Sequence, residues 1–379
     1  MEARRWFAMV PAAMLMAGAS VEAMAGTWVV QKENLATILM GVDFLDTQVG
    51  YVAGGNDGVG PVIFRTSDGG RTWVQQVEGM PSASYMDVSF GDDTHAVAGG
   101  MGMFYVFAGA SYTQDGRTWS ASKDRWLASA YQDVEAVDAR SMYLIGTWAR
   151  MTSYGEGVAA SRDGGQTFHY FDWGMGTAAR YGSFVSPTTG YVAGGQWPYD
   201  DSARFGAGSF RVNKHVALPM IDAPAREDSY DGYICIVGKT TSGGADWEVV
   251  FEDYGNFYCN GIHFVDENNG WFVAEGDDGA YIFHTADGGA TWDEQHFEPD
   301  GSLIAVHMVN ESEGWAAGAS IIKFGFKALF LHTVDGGATW EKLDTDLKHY
   351  IFNIDSVDPD HLWAVSYGSG GCSVLQYQP

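Results

Sequence analysis

Ile282-Phe283-His284-Thr285-Ala286-Asp287-Gly288-Gly289-Ala290-Thr291-Trp292 decides the fold of this chain, because it recurs. An apolar run ends in Thr, Asp-Gly-Gly follows, and an aromatic opens the next run. Other copies are Ser67-Asp68-Gly69-Gly70-Arg71-Thr72-Trp73, Arg162-Asp163-Gly164-Gly165-Gln166-Thr167-Phe168 and Val334-Asp335-Gly336-Gly337-Ala338-Thr339-Trp340. Gln114-Asp115-Gly116-Arg117-Thr118-Trp119 is one glycine shorter, and Thr241-Ser242-Gly243-Gly244-Ala245-Asp246-Trp247 lacks the leading Asp. Each copy reads as a turn. The carboxylate can accept hydrogen bonds from amides of its own loop, and the glycines permit positive φ. Asp-Gly between alternating apolar runs is a strong hairpin signal.

A second element precedes each turn: Gly50-Tyr51-Val52-Ala53-Gly54-Gly55, His95-Ala96-Val97-Ala98-Gly99-Gly100, Gly190-Tyr191-Val192-Ala193-Gly194-Gly195, Gly270-Trp271-Phe272-Val273-Ala274 and Gly314-Trp315-Ala316-Ala317-Gly318. A third, typified by Val42-Asp43-Phe44-Leu45-Asp46 and Ile262-His263-Phe264-Val265-Asp266, comes before it. The unit is thus four strands, A to D, with the Asp turn joining C to D. The anchoring aromatics Trp28, Trp73, Trp119, Phe168, Trp247, Trp292 and Trp340 stand 45 to 49 residues apart, apart from one interval of 79. Four-stranded repeats of this period are β-propeller blades. The long interval holds blade 4 with an insertion, 197–231. Counting the A-B-C sets predicts seven blades. The last, Phe352 to Tyr377, lacks a D strand, and Thr27-Trp28-Val29-Val30-Gln31 reads as an orphan D strand. We expect an all-β, seven-bladed β-propeller with four-stranded blades. The N-terminal strand of the mature chain closes the ring on the last blade and leaves no open edge.

Composition agrees. The 379 residues include 50 glycines and are 14% aromatic, as many short strands with tight turns require. The net charge of −27, from 48 acidic and 21 basic residues, argues against nucleic acid and anionic membrane surfaces as partners and favours solubility. Arg4 and Arg5, the apolar run Trp6 to Ala19, and Ala23-Met24-Ala25 read as a signal peptide (1–25) cleaved after Ala25. The expected mature protein, 26–379, is one extracytoplasmic, monomeric propeller with no membrane insertion of its own. Three cysteines, Cys235, Cys259 and Cys372, are too few for a disulfide framework, and spacing leaves open whether Cys235 and Cys259 pair. No zinc-type spacing occurs, so neither metal nor cofactor is expected.

The Asp-turn pattern is similar to the Asp-box, or BNR repeat, of sialidases, other glycosidases and sortilin-type receptors. The fuller pattern, Gly-Trp/Tyr-x-Ala-x-Gly followed by His/Arg-Thr-x-Asp-Gly-Gly-x-Thr-Trp, resembles the YCF48/HCF136 photosystem II assembly-factor family, with Ile282 to Trp292 its best copy. That resemblance implies an exported, non-catalytic propeller that binds a protein partner such as a newly made membrane-protein subunit. The family's binding patch is arginine-rich, whereas this chain is acidic.

A residue repeated in blade after blade maintains the blade, so Asp68, Asp115, Asp163, Asp287 and Asp335 read as structural. Sialidase chemistry needs an arginine cluster on the inner strands, and these, as bounded from the sequence, contain none. The A–B and C–D turns share one face, made acidic by residues such as Asp46, Asp92, Asp138, Asp266 and Asp358. The opposite face carries the longer loops, with Trp148, Arg150, Arg180, Trp197, Tyr199, Arg204, Arg226, Lys323 and Lys327, the aromatic and cationic types that dominate binding hot spots. We expect the partner there. The rival reading is a secreted glycoside hydrolase using Asp200, Asp201, Glu227 and Asp228 near Trp197; a sortilin-like ectodomain is the third. Finally, one A-strand column reads Asp43, Ser89, Glu135, Ser183, His263, His307 and Asp355. It predicts a polar central channel, with metal binding as the sharper alternative.

Overall fold

Apolar alternation interrupted by Asp-Gly turns folds here into short antiparallel strands. The computed structural model describes residues 26–56, 60–78, 84–101, 109–123, 128–150, 153–196, 211–212, 216–217, 232–322 and 325–379. The expected signal peptide and nearly all of the 197–231 insertion lie outside them. Among the described residues there is no helix.

β1 (Thr27–Glu33) precedes the first sheet, β2 (Ile38–Phe44), β3 (Gly50–Asn56), β4 (Gly60–Thr66) and β5 (Val74–Glu78). The second sheet is β6 (Ser84–Phe90), β7 (Ala96–Met101), β8 (Ser111–Thr113) and β9 (Trp119–Ala121). The third is β10 (Ala128–Ala136), β11 (Met142–Arg150), β12 (Ser153–Ser161) and β13 (His169–Asp172). A single pairing, Ala130 opposite Met101, joins these two into one larger sheet. The fourth begins with β14 (Ala178–Phe184) and β15 (Gly190–Gln196). After the small pair β16 (Arg211–Val212) and β17 (Val216–Ala217), it continues with β18 (Ile234–Thr240) and β19 (Glu248–Tyr254). The fifth is β20 (Phe257–Phe264), β21 (Gly270–Gly276), β22 (Gly279–Thr285) and β23 (Asp293–Pro299). The sixth is β24 (Gly301–Met308), β25 (Gly314–Ile322), β26 (Gly325–Thr333) and β27 (Glu341–Lys342). The last sheet is β28 (His349–Asp358), β29 (His361–Gly368) and β30 (Gly371–Gln378), with β1 as its fourth strand; Trp28 stands opposite Tyr377.

The first strands of successive sheets touch in order, β2 to β6, β10, β14, β20, β24 and β28, and β28 touches β2. The repeat motifs explain how. At four junctions the residue ending the first strand lies on the second-strand aromatic of the preceding sheet: Phe44 stacks on Trp363 at 3.6 Å, Phe90 on Tyr51 at 4.4 Å, Phe184 on Tyr143 at 3.6 Å and Phe264 on Tyr191 at 3.5 Å. Such stacked pairs add specificity to the apolar area they bury. Each first strand also bulges by one residue, at Met40, Met86, Gln132, Arg180, Ile304 and Phe352, and in β20 within Asn260-Gly261, which together oppose the single residue Val273.

The bulge brings a first-strand carbonyl against the second strand, which is why a glycine recurs there. A Cβ on Gly54 would stand 1.9 Å from the Ile38 carbonyl oxygen, and one on Gly318 equally close to that of Ser302. In β21 Ala274, opposite Cys259, takes this place in the column. Gly54→Ala is therefore expected to destabilise by roughly 1–3 kcal/mol through a backbone clash, measured by urea unfolding. The register also corrects the motif alignment in the second sheet. Ala96, not His95, opposes Phe90 as Gly50 opposes Phe44, so Gly100 is the counterpart of Gly54.

Candidate functional site

Local hydrogen bonding accounts for the box carboxylates. Asp68 Oδ1 accepts the Thr72 amide at 2.8 Å and its Oδ2 the Thr72 hydroxyl at 2.6 Å, while the Thr66 hydroxyl donates to Oδ1. Asp163, Asp287 and Asp335 repeat the arrangement. Asp115, in the shortened copy, accepts the amides of Arg117 and Thr118. In the degenerate copy Ser242 Oγ takes the amide of Asp246 instead. The Thr72 and Thr291 hydrogen bonds hold the Asp68 and Asp287 carboxyls below the usual carboxylate range. Their acceptor sites are spent inside the turn.

Each box docks on the A–B turn of its own sheet: the Gly69 amide donates to Gln48 O, that of Gly288 to Asn268 O and that of Gly336 to Ser312 O. These turns thus share a face. Their leading acids are engaged too; Asp46 Oδ1 accepts the amides of Gln48 and Val49, and Asp138 Oδ1 those of Arg140 and Ser141. What reads from sequence as a solvated acidic surface is, at its leading positions, a set of turn caps.

The first-strand column does face one central cavity of about 200 Å³, lined by Asp43, Ser89, Glu135, His263, His307 and Asp355. A second layer, two residues earlier on each strand, adds Asp87, Asp133, Tyr181 and Asn353. Sequence reasoning missed this layer, although the alternation Asp87-x-Ser89 and Asp133-x-Glu135 carries the signal. No Lys or Arg is among the described lining residues.

These side chains link neighbouring sheets. Asp355 Oδ2 accepts the Phe44 amide at 2.6 Å, Asp43 Oδ2 that of Phe90 at 2.5 Å, and Asp133 Oδ2 that of Gly182 at 2.6 Å. Ser89 Oγ accepts Ala136 N, Ser183 Oγ accepts Phe264 N, and His263 Nδ1 accepts Met308 N. Asp87 takes the Val134 amide and, across the channel, the Asn353 amide group. Burial raises the Asp43 and Asp133 carboxyls to about 6. Burial and neighbouring carboxylates lift Asp87, Glu135 and Asp355 well above their usual range. Burial lowers His263 to about 4 and His307 well below its ordinary value. Among the described residues no group of three His, Cys, Asp or Glu has geometry for a metal ion.

Above this channel lies a buried polar knot that sequence reasoning also missed. Ser302 Oγ donates to Glu275 Oε2 at 2.7 Å, and the Tyr258 hydroxyl donates to the same oxygen. Burial pushes the Glu275 carboxyl up to about 8. Arg180 lies over the Tyr258 ring, 5.3 Å from its centroid. This corrects the expectation that the inner strands lack arginine. Arg180 is the bulged residue of β14, and a bulge interrupts the alternation by which the strand is bounded in sequence.

Of the other loop-face candidates, Lys327 is on β26 and pairs with Asp344 at 2.7 Å. Arg180 and Lys327 sit on the fourth and sixth sheets, and no described contact joins them. The backbones of Trp148 and Arg150 belong to β11, but their side chains lie outside the described set, as do Trp197, Tyr199, Arg204, Arg226 and Lys323. The glycosidase candidates Asp200, Asp201, Glu227 and Asp228 also lie outside the described residues. Cys235 and Cys259 form a disulfide between β18 and β20, and Cys372 is a buried free thiol.

Residues 237–362, about a third of the chain, match the family described as photosynthesis system II assembly factor YCF48. No curated protein matches the chain in sequence. Among solved structures, YCF48 bound to D1 peptide is 16% identical with a TM-score of 0.59, covering 93% of this chain and 97% of that one. YCF48 from Cyanidioschyzon merolae is 14% identical with a TM-score of 0.52, covering 93% and 98%. The WD40 β-propeller domain of Doa1 is 10% identical with a TM-score of 0.52, covering 89% and 92%. Repeat pattern, family match and fold together make this chain a YCF48-like Asp-box β-propeller.

Proposed function

We propose that this chain is an exported, seven-bladed propeller, closed by β1, that binds a segment of a membrane-protein subunit as an assembly factor and catalyses no reaction. The observation that carries the reading is the match of residues 237–362 to the YCF48 assembly factor. A relative of that name, with the same fold along nearly its whole length, is bound to D1 peptide. The pairing of β1 with β30 and the contact of β28 with β2 support ring closure. The box aspartates maintain their turns rather than act on a substrate. The partner docks on the long-loop face, where Trp148, Arg180 and Trp197 are its anchors; the Arg180 guanidinium lies over the Tyr258 ring.

The test is titration of the mature protein with fluorescent D1 peptide, alongside capture of partners from native membranes. Saturable binding, weakened at least ten-fold by the triple variant Trp148→Ala/Arg180→Ala/Trp197→Ala without change in Tm, is the expected result. Equal binding by both proteins would discard that face, and no binding of D1 peptide or membrane subunits would discard the assembly role.

A further inference from the structure

We propose that the carboxyl groups of the central channel form a pH-sensitive clasp, which tightens the inner strands in weakly acidic surroundings and loosens as the pH rises. Four consecutive junctions carry it. Asp355 holds the first sheet to the last through Phe44, Asp43 holds the second through Phe90, Asp87 the third through Val134, and Asp133 the fourth through Gly182. The remaining junctions rest on neutral acceptors such as Ser183 and His263.

The geometry sets the sign. Asp43 projects from β2, Asp87 from β6, Asp133 and Glu135 from β10, and Asp355 from β28, all into the same cavity. The other titratable groups facing them are Tyr181 from β14, His263 from β20 and His307 from β24; His307 Nδ1 lies 3.8 Å from Asp355 Oδ1. No cation among the described lining residues offsets a charge that appears there. A single ionised carboxylate accepts its amide more strongly, but each further ionisation adds like charge in a confined volume. Asp87 and Asp133 sit close enough to share a hydrogen bond, so they cannot both ionise without repulsion.

Carboxyls raised above their unfolded values stabilise the fold fully below pH about 4 and lose that contribution as pH climbs through their folded values. The loss begins as pH passes the unfolded value and, for Asp43 and Asp133, is complete by about 6; Asp87, Glu135 and Asp355, raised well above their ordinary range, add to it in the same direction. The opposing histidines, lowered in the folded state, contribute above their unfolded value and lose that contribution as pH falls through the folded one. The five raised carboxyls outnumber the two lowered histidines, so the net contribution of the channel falls as pH rises from about 4.

Glu135 discriminates. It accepts no hydrogen bond among the described residues, so Glu135→Gln removes a charge and leaves every amide link in place. Thermal and urea unfolding of the mature protein between pH 4 and pH 8.5 is the experiment, with hydrogen exchange at the amides of Phe44, Phe90 and Gly182. Wild type is expected to lose stability as pH rises from about 4, and those amides to exchange faster than base catalysis alone requires. Glu135→Gln should match wild type at about pH 4 and exceed it at about pH 8. Removing one linked proton changes the pH dependence of the unfolding constant by about ten-fold per pH unit. Asp133→Asn, which keeps an acceptor oxygen for Gly182, should flatten the profile in the same direction. A wild-type profile level from pH 5 to 8, or a Glu135→Gln variant less stable than wild type at pH 8, would overturn the clasp.

Discussion

Trp28→Ala is expected to cost about 3–5 kcal/mol of unfolding free energy, the range for emptying a fully buried indole site. Trp28 is 3% exposed and stacks on Phe330 at 4.4 Å, with Trp315 edge-on at 5.8 Å and Tyr377 at 5.7 Å. It belongs to β1, near the start of the chain, while its neighbours belong to the sixth and last sheets. One side chain therefore ties together the two ends of the polypeptide. Its indole N–H meets no hydrogen-bond acceptor among the described residues, so Trp28→Phe, which retains the stack, should lose much less. Urea unfolding followed by far-ultraviolet circular dichroism measures both. A loss under about 1 kcal/mol for the alanine variant, well below the usual cost of such a deletion, would show that β1 is peripheral to the fold.

Removing the Cys235–Cys259 bond has the next largest effect. The two residues are 24 apart in sequence and join the third strand of one sheet to the first strand of the next. Cross-linking a loop of that length restrains the unfolded chain by about 3 kcal/mol in the chain-entropy treatment, so the Cys235→Ala/Cys259→Ala protein should unfold at correspondingly lower urea. Both sulfurs are sealed from solvent, with 0% exposure for each residue. Dithiothreitol should therefore leave the folded protein's bond intact and reduce it only under conditions that also unfold the chain. Free-thiol labelling during a urea titration checks this. Labelling of Cys235 and Cys259 in native buffer with reductant would show that the seam between the fourth and fifth sheets opens on its own.

That disulfide also marks where sequence reading stops. Spacing leaves the pairing of Cys235 and Cys259 undecided, because only the apposition of β18 and β20 brings the sulfurs together. Trp28 is the opposite case. Its distance from Trp73 equals one repeat and the last repeat lacks a fourth strand, which together predict that its strand completes the last sheet. The channel falls between the two. The column from Asp43 to Asp355 is legible because strand alternation places every second residue on one face. The amides these groups accept lie on neighbouring sheets, 45 to 311 residues away, and no local pattern encodes them.

Arg180 shows the same limit within one strand. Its bulge shifts the register of β14 by one residue, so periodicity read through it puts the strand boundary in the wrong place. By itself the amino-acid order determined the four-stranded unit, its all-β character and the turn chemistry, since each depends on residues within a few positions of one another. Tertiary structure alone decided which sulfurs bond, which carboxyls crowd a common cavity and which arginine lies over the Tyr258 ring. Those outcomes depend on how separate sheets approach in space, and local periodicity carries no record of that distance.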